Sequence, residues 1–580
     1  MRHLIFRSLR FYARSHFGSL LGVTVAGTVL VGALAVGDCV RESLREMGLA
    51  RLGKIDFVMP GKDRLFREAL ADDVRPGLSN GLAAAVLYLP GTAANSDGSQ
   101  RANHAQILGV EERFWTLAQS PPKLPGDWTN GLVLNEPLAR QLGVTTGDTI
   151  VLRVQKPSLL SLEAPISPQE DLASGFRLPV KAIVSDEELG RFSLQANQMP
   201  PLNAFVPLHF LQGKVGLPGK ANLLVLSFGE STAKLNGLLG QNWRLADAQC
   251  ELRPSPGGLE LRSERVFLDA PIARAALDRP TPAASVELIL TYFVNELRDS
   301  ANTTPYSMVT AATAPLVPAQ MRDDQILINQ WLADDLQAKP GDEVELTYFI
   351  PGTTKRMEEK RDLFHVYAVV PMEGLTADRS LLPDFPGIAK AESTANWDAG
   401  FPIDFAKIRP KDEQYWKDYR GTPKAFLTLK AGQRMWGNRF GELTAVRWPG
   451  QTGADSITAA DHQILKNLNP ASVGLSFLPV REQALAAAAT GQAEEFGGLF
   501  LSFSFFLIAA ALILLGLLFQ LGMEKRAKEI GILLALGWRP EQVRRLLLGE
   551  GLAVAALGGL LGVAGGVLYA RGILWGLTTL

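Results

Sequence analysis

The sequence predicts α-helical membrane spans that carry a large α+β extracytoplasmic domain with two similar modules. Three observations predict this. Residues 17–37, 496–522 and 551–570 each form a long run without a charged side chain. Lysine and arginine gather in the arm before the first run and in the segment between the last two. The long stretch between the first two runs contains an ungapped internal repeat.

A helix needs roughly 17–25 apolar residues to cross a bilayer core, so each run is long enough to span. Residues 1–16 carry Arg2, Arg7, Arg10 and Arg14 and no acid. They also fit the charged start of a cleaved secretion signal, with Ala33-Leu34-Ala35 as its cleavage site. The apolar run exceeds the roughly 7–15 residues usual in such signals, which favours an uncleaved helix. The net charge of −1 gives no basic excess of the kind that nucleic-acid binding favours. The two cysteines, Cys39 and Cys250, make neither a disulfide framework nor a metal-binding spacing. Whether they pair is open at this level.

Charge sets the orientation, because Lys and Arg beside a span stay in the cytoplasm. The arm at 1–16 is therefore cytoplasmic. So is the segment 523–550, with Lys525, Arg526, Lys528, Arg539, Arg544 and Arg545. Spans 17–37, 496–522 and 551–570 then run outward, inward and outward. Residues 38–495 lie outside, periplasmic if the cell has an outer membrane, and residues 571–580 end on the outer side. This places the chain in the cell (inner) membrane as a multi-pass protein.

Within the outer region, "LVLNEPLARQLGVTTGDTIVL" (132–152) aligns on "ILINQWLADDLQAKPGDEVEL" (326–346). Both predict a short strand, a helix with apolar residues four apart (Leu138 and Leu142; Leu332 and Leu336), a Gly-Asp turn and an alternating strand. A weaker pair, 204–216 and 425–437, follows the strand-like stretches "FRLPVKAIV" and "LFHVYAVV". The modules are expected at roughly 80–230 and 285–450, the second with an insertion around 381–410. Residues 242–281 read as a linker that is partly helical at 271–277. Residues 40–49 and 481–490 are expected to prolong the first span and to lead into the second.

The search for chemistry is negative. The six histidines are scattered, with no HExxH pair, no GxSxG elbow and no complete phosphate loop. No catalytic residue and no metal ligand is assigned. Span interiors lack Asp, Glu, Lys and Arg, which disfavours an ion or proton pathway. Gly18 and Gly22 in the first span, and Gly558, Gly562 and Gly566 in the third, have the four-residue spacing that lets helices pack closely. In "MEKRAKEIGILLALGWRPEQVRRLLLGEG" (523–551), residues 524–536 predict a helix with apolar Ile530, Leu533 and Leu534, closed by Gly537. Pro540 opens a second, short helix before the third span.

This last stretch resembles the FtsX-like permease family of ABC transporters, the MacB and lipoprotein-releasing type. The resemblance rests on Arg526, Glu529, Ile530, Gly531, Ala535, Leu536, Gly537 and Glu550, and on a first span followed by a large outer domain. It implies that the segment between the second and third spans couples the chain to an ABC ATPase. Arg526, Glu529, Ile530, Gly531, Leu533, Leu534 and Gly537 are its expected coupling residues. It also implies a second permease subunit, ATP on the partner ATPase and no cofactor on this chain, which is then no enzyme itself. The expected function is to couple cytoplasmic ATP hydrolysis to movement of the outer domain, for export, extraction or mechanotransmission. The family core has four spans and this chain three, so a fragment of an enlarged member is expected. The competing reading is a membrane-anchored extracytoplasmic binding or scaffold protein without energy coupling.

Overall fold

Alternating, strand-forming stretches dominate residues 51–480, and they pair into two large sheets. The computed structural model describes residues 2–78, 81–157, 173–195, 199–227, 231–256, 258–278, 286–351, 357–400, 403–490 and 492–579. These fall into two units, Arg51–Val480 and the combination of Met1–Ala50 with Arg481–Leu580.

In the larger unit the first strands are β1 (Phe57–Pro60), β2 (Phe66–Arg67), β3 (Leu82–Asn95), β4 (Arg101–Val110), β5 (Leu132–Asn135), β6 (Thr149–Gln155), β7 (Ala173–Val184), β8 (Leu202–Pro207), β9 (Lys220–Ala221) and β10 (Leu223–Ser227). They continue as β11 (Cys250–Ser255), β12 (Gly258–Ser263), β13 (Glu287–Arg298), β14 (Thr303–Ala312), β15 (Gln325–Asn329), β16 (Glu343–Pro351), β17 (Met357–Val370), β18 (Ala425–Thr428) and β19 (Ala445–Pro449).

The first large sheet has the order β1-β10-β3-β4-β8-β5-β7-β6, and β3 also pairs with β6, so its last six strands close on themselves. The second has the order β11-β12-β19-β13-β14-β18-β15-β17-β16, closed in the same way by β13 and β16. The strand β3 can bend from β4 to β6 because Gly91 sits at the crossing, next to a register shift. A Cβ there would lie 2.5 Å from the Arg153 carbonyl oxygen, a close backbone approach that only glycine permits.

Alternation fills each closed sheet. Ile150, Leu152 and Val154 of β6 point into the first core, while Thr149, Arg153 and Gln155 face out. Val344, Leu346 and Tyr348 of β16 do the same in the second. A third core draws on both sheets, with Phe57, Met59, Ala85, Leu224, Leu259, Leu261 and Trp448 under the helices Thr232–Asn242, Ala270–Leu277 and Ala454–Asn467.

The repeated segments have matching local structure. Asn135 and Asn329 each end a strand and cap a seven-residue helix, Glu136–Leu142 and Gln330–Leu336. The helices close on left-handed residues, Gly143 and Gln337. Gly147 and Gly341 then turn the chain with φ of 101° and 98°. Asp148 and Asp342 close the turns by accepting the backbone N–H of Thr145 and Lys339, both at 2.7 Å.

One expectation fails in this unit. Residues 242–281 are no plain linker, because β11 and β12 lie within them and join the second sheet beside β19. Pro254, one of the prolines that suggested a linker, is tolerated because β11 is an edge strand, where a missing N–H costs no ladder bond. The described part of this stretch does include the expected helix, at Ala270–Leu277; residues 279–281 lie outside the described residues.

The smaller unit is all helical. A short helix, Arg2–Phe11, precedes the long Ala13–Ala50, and Gln492–Glu524, Ala527–Ala535 and Pro540–Thr579 follow late in the chain. Among the described residues two segments, Ala13–Cys39 and Pro540–Ile573, are long and apolar enough to cross a membrane. Ile508–Glu524 and Ala527–Ala535 meet that test together, as a pair bent by 55°. The expected short helix at Pro540 is instead the first part of the 40-residue Pro540–Thr579. Nothing in its sequence breaks the hydrogen-bond ladder between foot and span. Cys39 and Cys250 are both unpaired, the first exposed and the second buried.

Candidate coupling site

The charged foot begins where the Gln492–Glu524 helix stops. The chain turns at Lys525 and Arg526, and Ala527–Ala535 starts a new helix with Glu529 in its first turn, where the helix dipole favours an acid. Gly537 ends it at φ 89°. The Gly537 and Trp538 amides donate back to the Leu534 and Leu533 carbonyls, both at 3.1 Å, in the manner of a glycine-terminated helix. Pro540 then opens the last helix, and the Arg539 amide donates to the Gln542 side-chain oxygen at 3.0 Å.

Three separate parts of the sequence meet around Arg526. Its Nη1 donates to Glu550 Oε2 at 2.5 Å, and Glu550 has only 2% of its side chain exposed. Its guanidinium lies over the Tyr12 ring, 3.4 Å from the centroid. Its Nη2 is 3.3 Å from His16 Nε2, and that nitrogen is 3.6 Å from Glu550 Oε2. The Tyr12 hydroxyl donates to Glu529 Oε2 at 2.8 Å. That hydrogen bond to a carboxylate, and then burial, raise the Tyr12 phenol above its ordinary pKa. Buried charges need a partner, and here the arginine and the glutamate supply each other.

The apolar face differs from the expected one. Ile530 and Leu533 are half-buried, whereas Leu534 is 42% exposed. Ile532 and Leu536, which the periodicity did not single out, are more open still, at 60% and 73%. Gly531 is exposed, and a Cβ there would meet nothing within 4 Å. The helix thus turns part of its apolar surface to its own chain and leaves a second strip uncovered.

The glycines of the last helix lie against the first long helix. A Cβ at Gly562 would sit 2.9 Å from the Gly27 Cα, one at Gly558 2.8 Å from the Val23 Cβ, and one at Gly566 2.7 Å from the Val31 Cβ. Gly22 instead faces Leu518 of the Gln492–Glu524 helix, at 3.3 Å. Gly18 is a correction: among the described residues nothing lies within 4 Å of a Cβ placed there. It sits nearer the start of the helix than the crossing at Gly27. Gly27, Gly32 and Gly565 were missed, although they complete the same seam; a Cβ at Gly32 would clash with the Tyr569 ring and one at Gly565 with Thr28.

Tyr12 and His16 were missed as well. Their signal was the half-buried series Ile5, Leu9, Tyr12 and His16, spaced by three or four as one helical face. Among the described residues no group of three or more His, Cys, Asp or Glu is arranged to hold a metal.

Apolar helices long enough to cross a membrane, with a large α+β domain between them in sequence and a short charged foot, define a membrane protein with an extracytoplasmic domain. Residues 501–579, the foot and its flanking helices, match the model of the FtsX-like permease C-terminal family, so the chain carries an FtsX-like permease segment. No curated protein matches significantly. Among solved structures, the periplasmic region of MacB from Actinobacillus actinomycetemcomitans is similar at 13% identity, over 32% of this chain and 85% of that one, with a TM-score of 0.23. The extracellular domain of the ABC-type transporter YknZ from Gram-positive bacteria is similar at 13% identity, over 31% and 88%, with a TM-score of 0.19.

Proposed function

We propose that the protein is the permease subunit of an ABC transporter. A separate ATPase drives it from the cytoplasm, and the work is movement of the outer domain in export, extraction or mechanotransmission. ATP belongs to the partner, and this chain needs no cofactor of its own. The observation that carries the reading is the foot. Its matched sequence folds into a nine-residue helix, Ala527–Ala535, that exposes Ile532 and Leu534, and the residue that ends it, Leu536, is exposed as well. Isolated helices below about 12–15 residues are marginal in water, and adjoining exposed aliphatics call for a cover. The exposed Gly531 would let that cover approach closely.

In this reading Arg526, Glu529, Ile530, Gly531, Leu533, Leu534 and Gly537 shape the coupling segment, and Ile532 and Leu536 are added to its contact face. The chain crosses the membrane three times, with 1–16 and 523–550 in the cytoplasm and 38–495 outside. The outer domain consists of two similar modules, near 80–230 and 285–450, a reading supported by the shared strand order of the closed sheets. A second permease subunit, identical or related, completes the transporter within the bilayer.

The test is capture of the ATPase by the full-length chain in detergent. Leu536→Asp would bury a carboxylate without a partner, at a cost of several kcal/mol, so retention should fall by roughly a hundredfold or more at unchanged membrane levels. Ile530→Asp should reduce retention too, by disturbing the helix from its inner side. Normal capture and normal stimulated hydrolysis with Leu536→Asp would show that the foot is a topology loop only.

A further inference from the structure

The N-terminal arm is bound to the foot by contacts that neither segment's sequence announces. Ile5 packs so closely on Gly549 that a Cβ there would lie 2.7 Å from its Cδ1. Tyr12 stands between two charged residues of the foot, Glu529 and Arg526. Its hydroxyl holds Glu529 in the coupling helix, and its ring face holds Arg526, whose other side is fixed by Glu550 in the last helix. Tyr12 is also the break between Arg2–Phe11 and Ala13–Ala50, so it is fastened to the base of the first long helix.

We propose that Tyr12 is a positioning residue that joins the coupling helix to the first long helix through Glu529 and Arg526, so that displacement of the foot moves the helices Ala13–Ala50 and Pro540–Thr579 together. The proposal rests on the reading of the foot as the ATPase contact. Its physical basis is directional. A hydrogen bond to a carboxylate is among the stronger, shorter kinds, and a guanidinium on an aromatic face resists both sliding and lifting. Without Tyr12 the foot would remain attached to the last helix through Arg526 and Glu550. The first long helix would lose its hydrogen bond to Glu529 and its ring contact with Arg526, keeping only the His16 contacts near the arginine.

The experiment uses the full-length chain in lipid nanodiscs, with Cys39→Ser as background and a spin label at Ile532→Cys on the open side of the coupling helix. Tyr12→Phe removes the hydroxyl and keeps the ring; Glu529→Gln keeps an acceptor; Glu529→Ala removes it. Label mobility should rise with Tyr12→Phe and with Glu529→Ala, stay near the parent with Glu529→Gln, and rise no further when Tyr12→Phe and Glu529→Ala are combined. With the ATPase present, Tyr12→Phe should retain it normally yet lower stimulated hydrolysis on the order of tenfold, the signature of a lost coupling rather than a lost contact. Additive effects of the two substitutions, or unchanged mobility, would overturn the proposal. Capture and hydrolysis are measured on the chain without the Ile532 label; if that unlabelled parent captures no ATPase, the functional reading fails by itself, while the mobility series still decides whether Tyr12 holds the foot.

Discussion

Asn135 and Asn329 stand at matching places in the two closed sheets and do the same work. The side-chain oxygen of Asn135 accepts the Leu138 amide at 3.1 Å, and that of Asn329 accepts the Leu332 amide at 2.8 Å. Their amide groups reach outward to different partners. Asn135 donates to the Gly190 and Pro201 carbonyls, at 2.9 and 2.7 Å. Asn329 donates to the Tyr415 hydroxyl and the Pro423 carbonyl, at 3.1 and 3.4 Å. Each asparagine therefore starts a helix and ties it to a distant loop.

Both are buried, so truncation strands several polar groups at once. Asn135→Ala or Asn329→Ala should cost about 2–3 kcal/mol, from the lost cap and the unpaired buried partners. Asn135→Asp should cost at least as much, because a carboxylate still caps the helix but is buried without a cation and cannot donate to the Gly190 and Pro201 carbonyls. Urea unfolding of the full-length protein in detergent, followed by tryptophan fluorescence, measures the difference. A loss below about 0.5 kcal/mol, the usual effect of a surface substitution, would contradict this account.

Lys424 should make stability rise with pH in the alkaline range. It is fully buried over the Trp331 and Tyr415 rings, with Asp412 at 3.7 Å. Burial lowers its pKa to about 8, against the opposing pull of Asp412 and Asp335. An unfolded lysine holds its proton to about pH 10.4. Between those values the unfolded chain binds more protons, so stability increases as pH rises, and the full cost of the buried charge is present below pH 8. The shift corresponds to roughly 3 kcal/mol. Lys424→Met should remove this slope. The check is the difference in unfolding free energy between wild type and variant from pH 7.5 to 10; parallel curves would refute the assignment.

Gly27 and Gly562 let two helices touch backbone to backbone. A Cβ on either would lie 3.2 or 2.9 Å from the other's Cα, and backbone cannot move aside as a side-chain tip can. Gly562→Val should therefore separate the helices at a cost of about 1–3 kcal/mol. Gly559→Val, one helical face away with nothing within 4 Å, should be tolerated. The distance between spin labels at Leu21→Cys and Leu560→Cys, both exposed, in a Cys39→Ser background reads the separation. Equal distances in both variants would mean that the seam is not close-packed.

The sequence by itself determined what depends on local composition and period. Charge-free runs reveal long apolar helices, because a charged side chain at the centre of a bilayer is costly. Asn-capped helices and Gly-Asp turns in the repeat are local events within a few bonds of the residues that cause them, so 132–152 and 326–346 were legible as strand, helix, turn and strand. The glycine spacing in the last helix was legible for the same reason. Only the tertiary structure decided the long-range pairings. The return of β3 onto β6 and the joining of β11 and β12 to the second sheet depend on surfaces far apart in sequence, as in the pairing of Gly91 with Val154 and of Gly258 with Pro449. Likewise Ile530 turned inward and Ile532 outward, because the helix is too short for its period to say which face the rest of the chain covers. The knot of Tyr12, His16, Arg526, Glu529 and Glu550 was invisible for the most basic reason. A buried polar or charged group must find a partner, and nothing in the linear sequence says that the partner of residue 12 stands at residue 529.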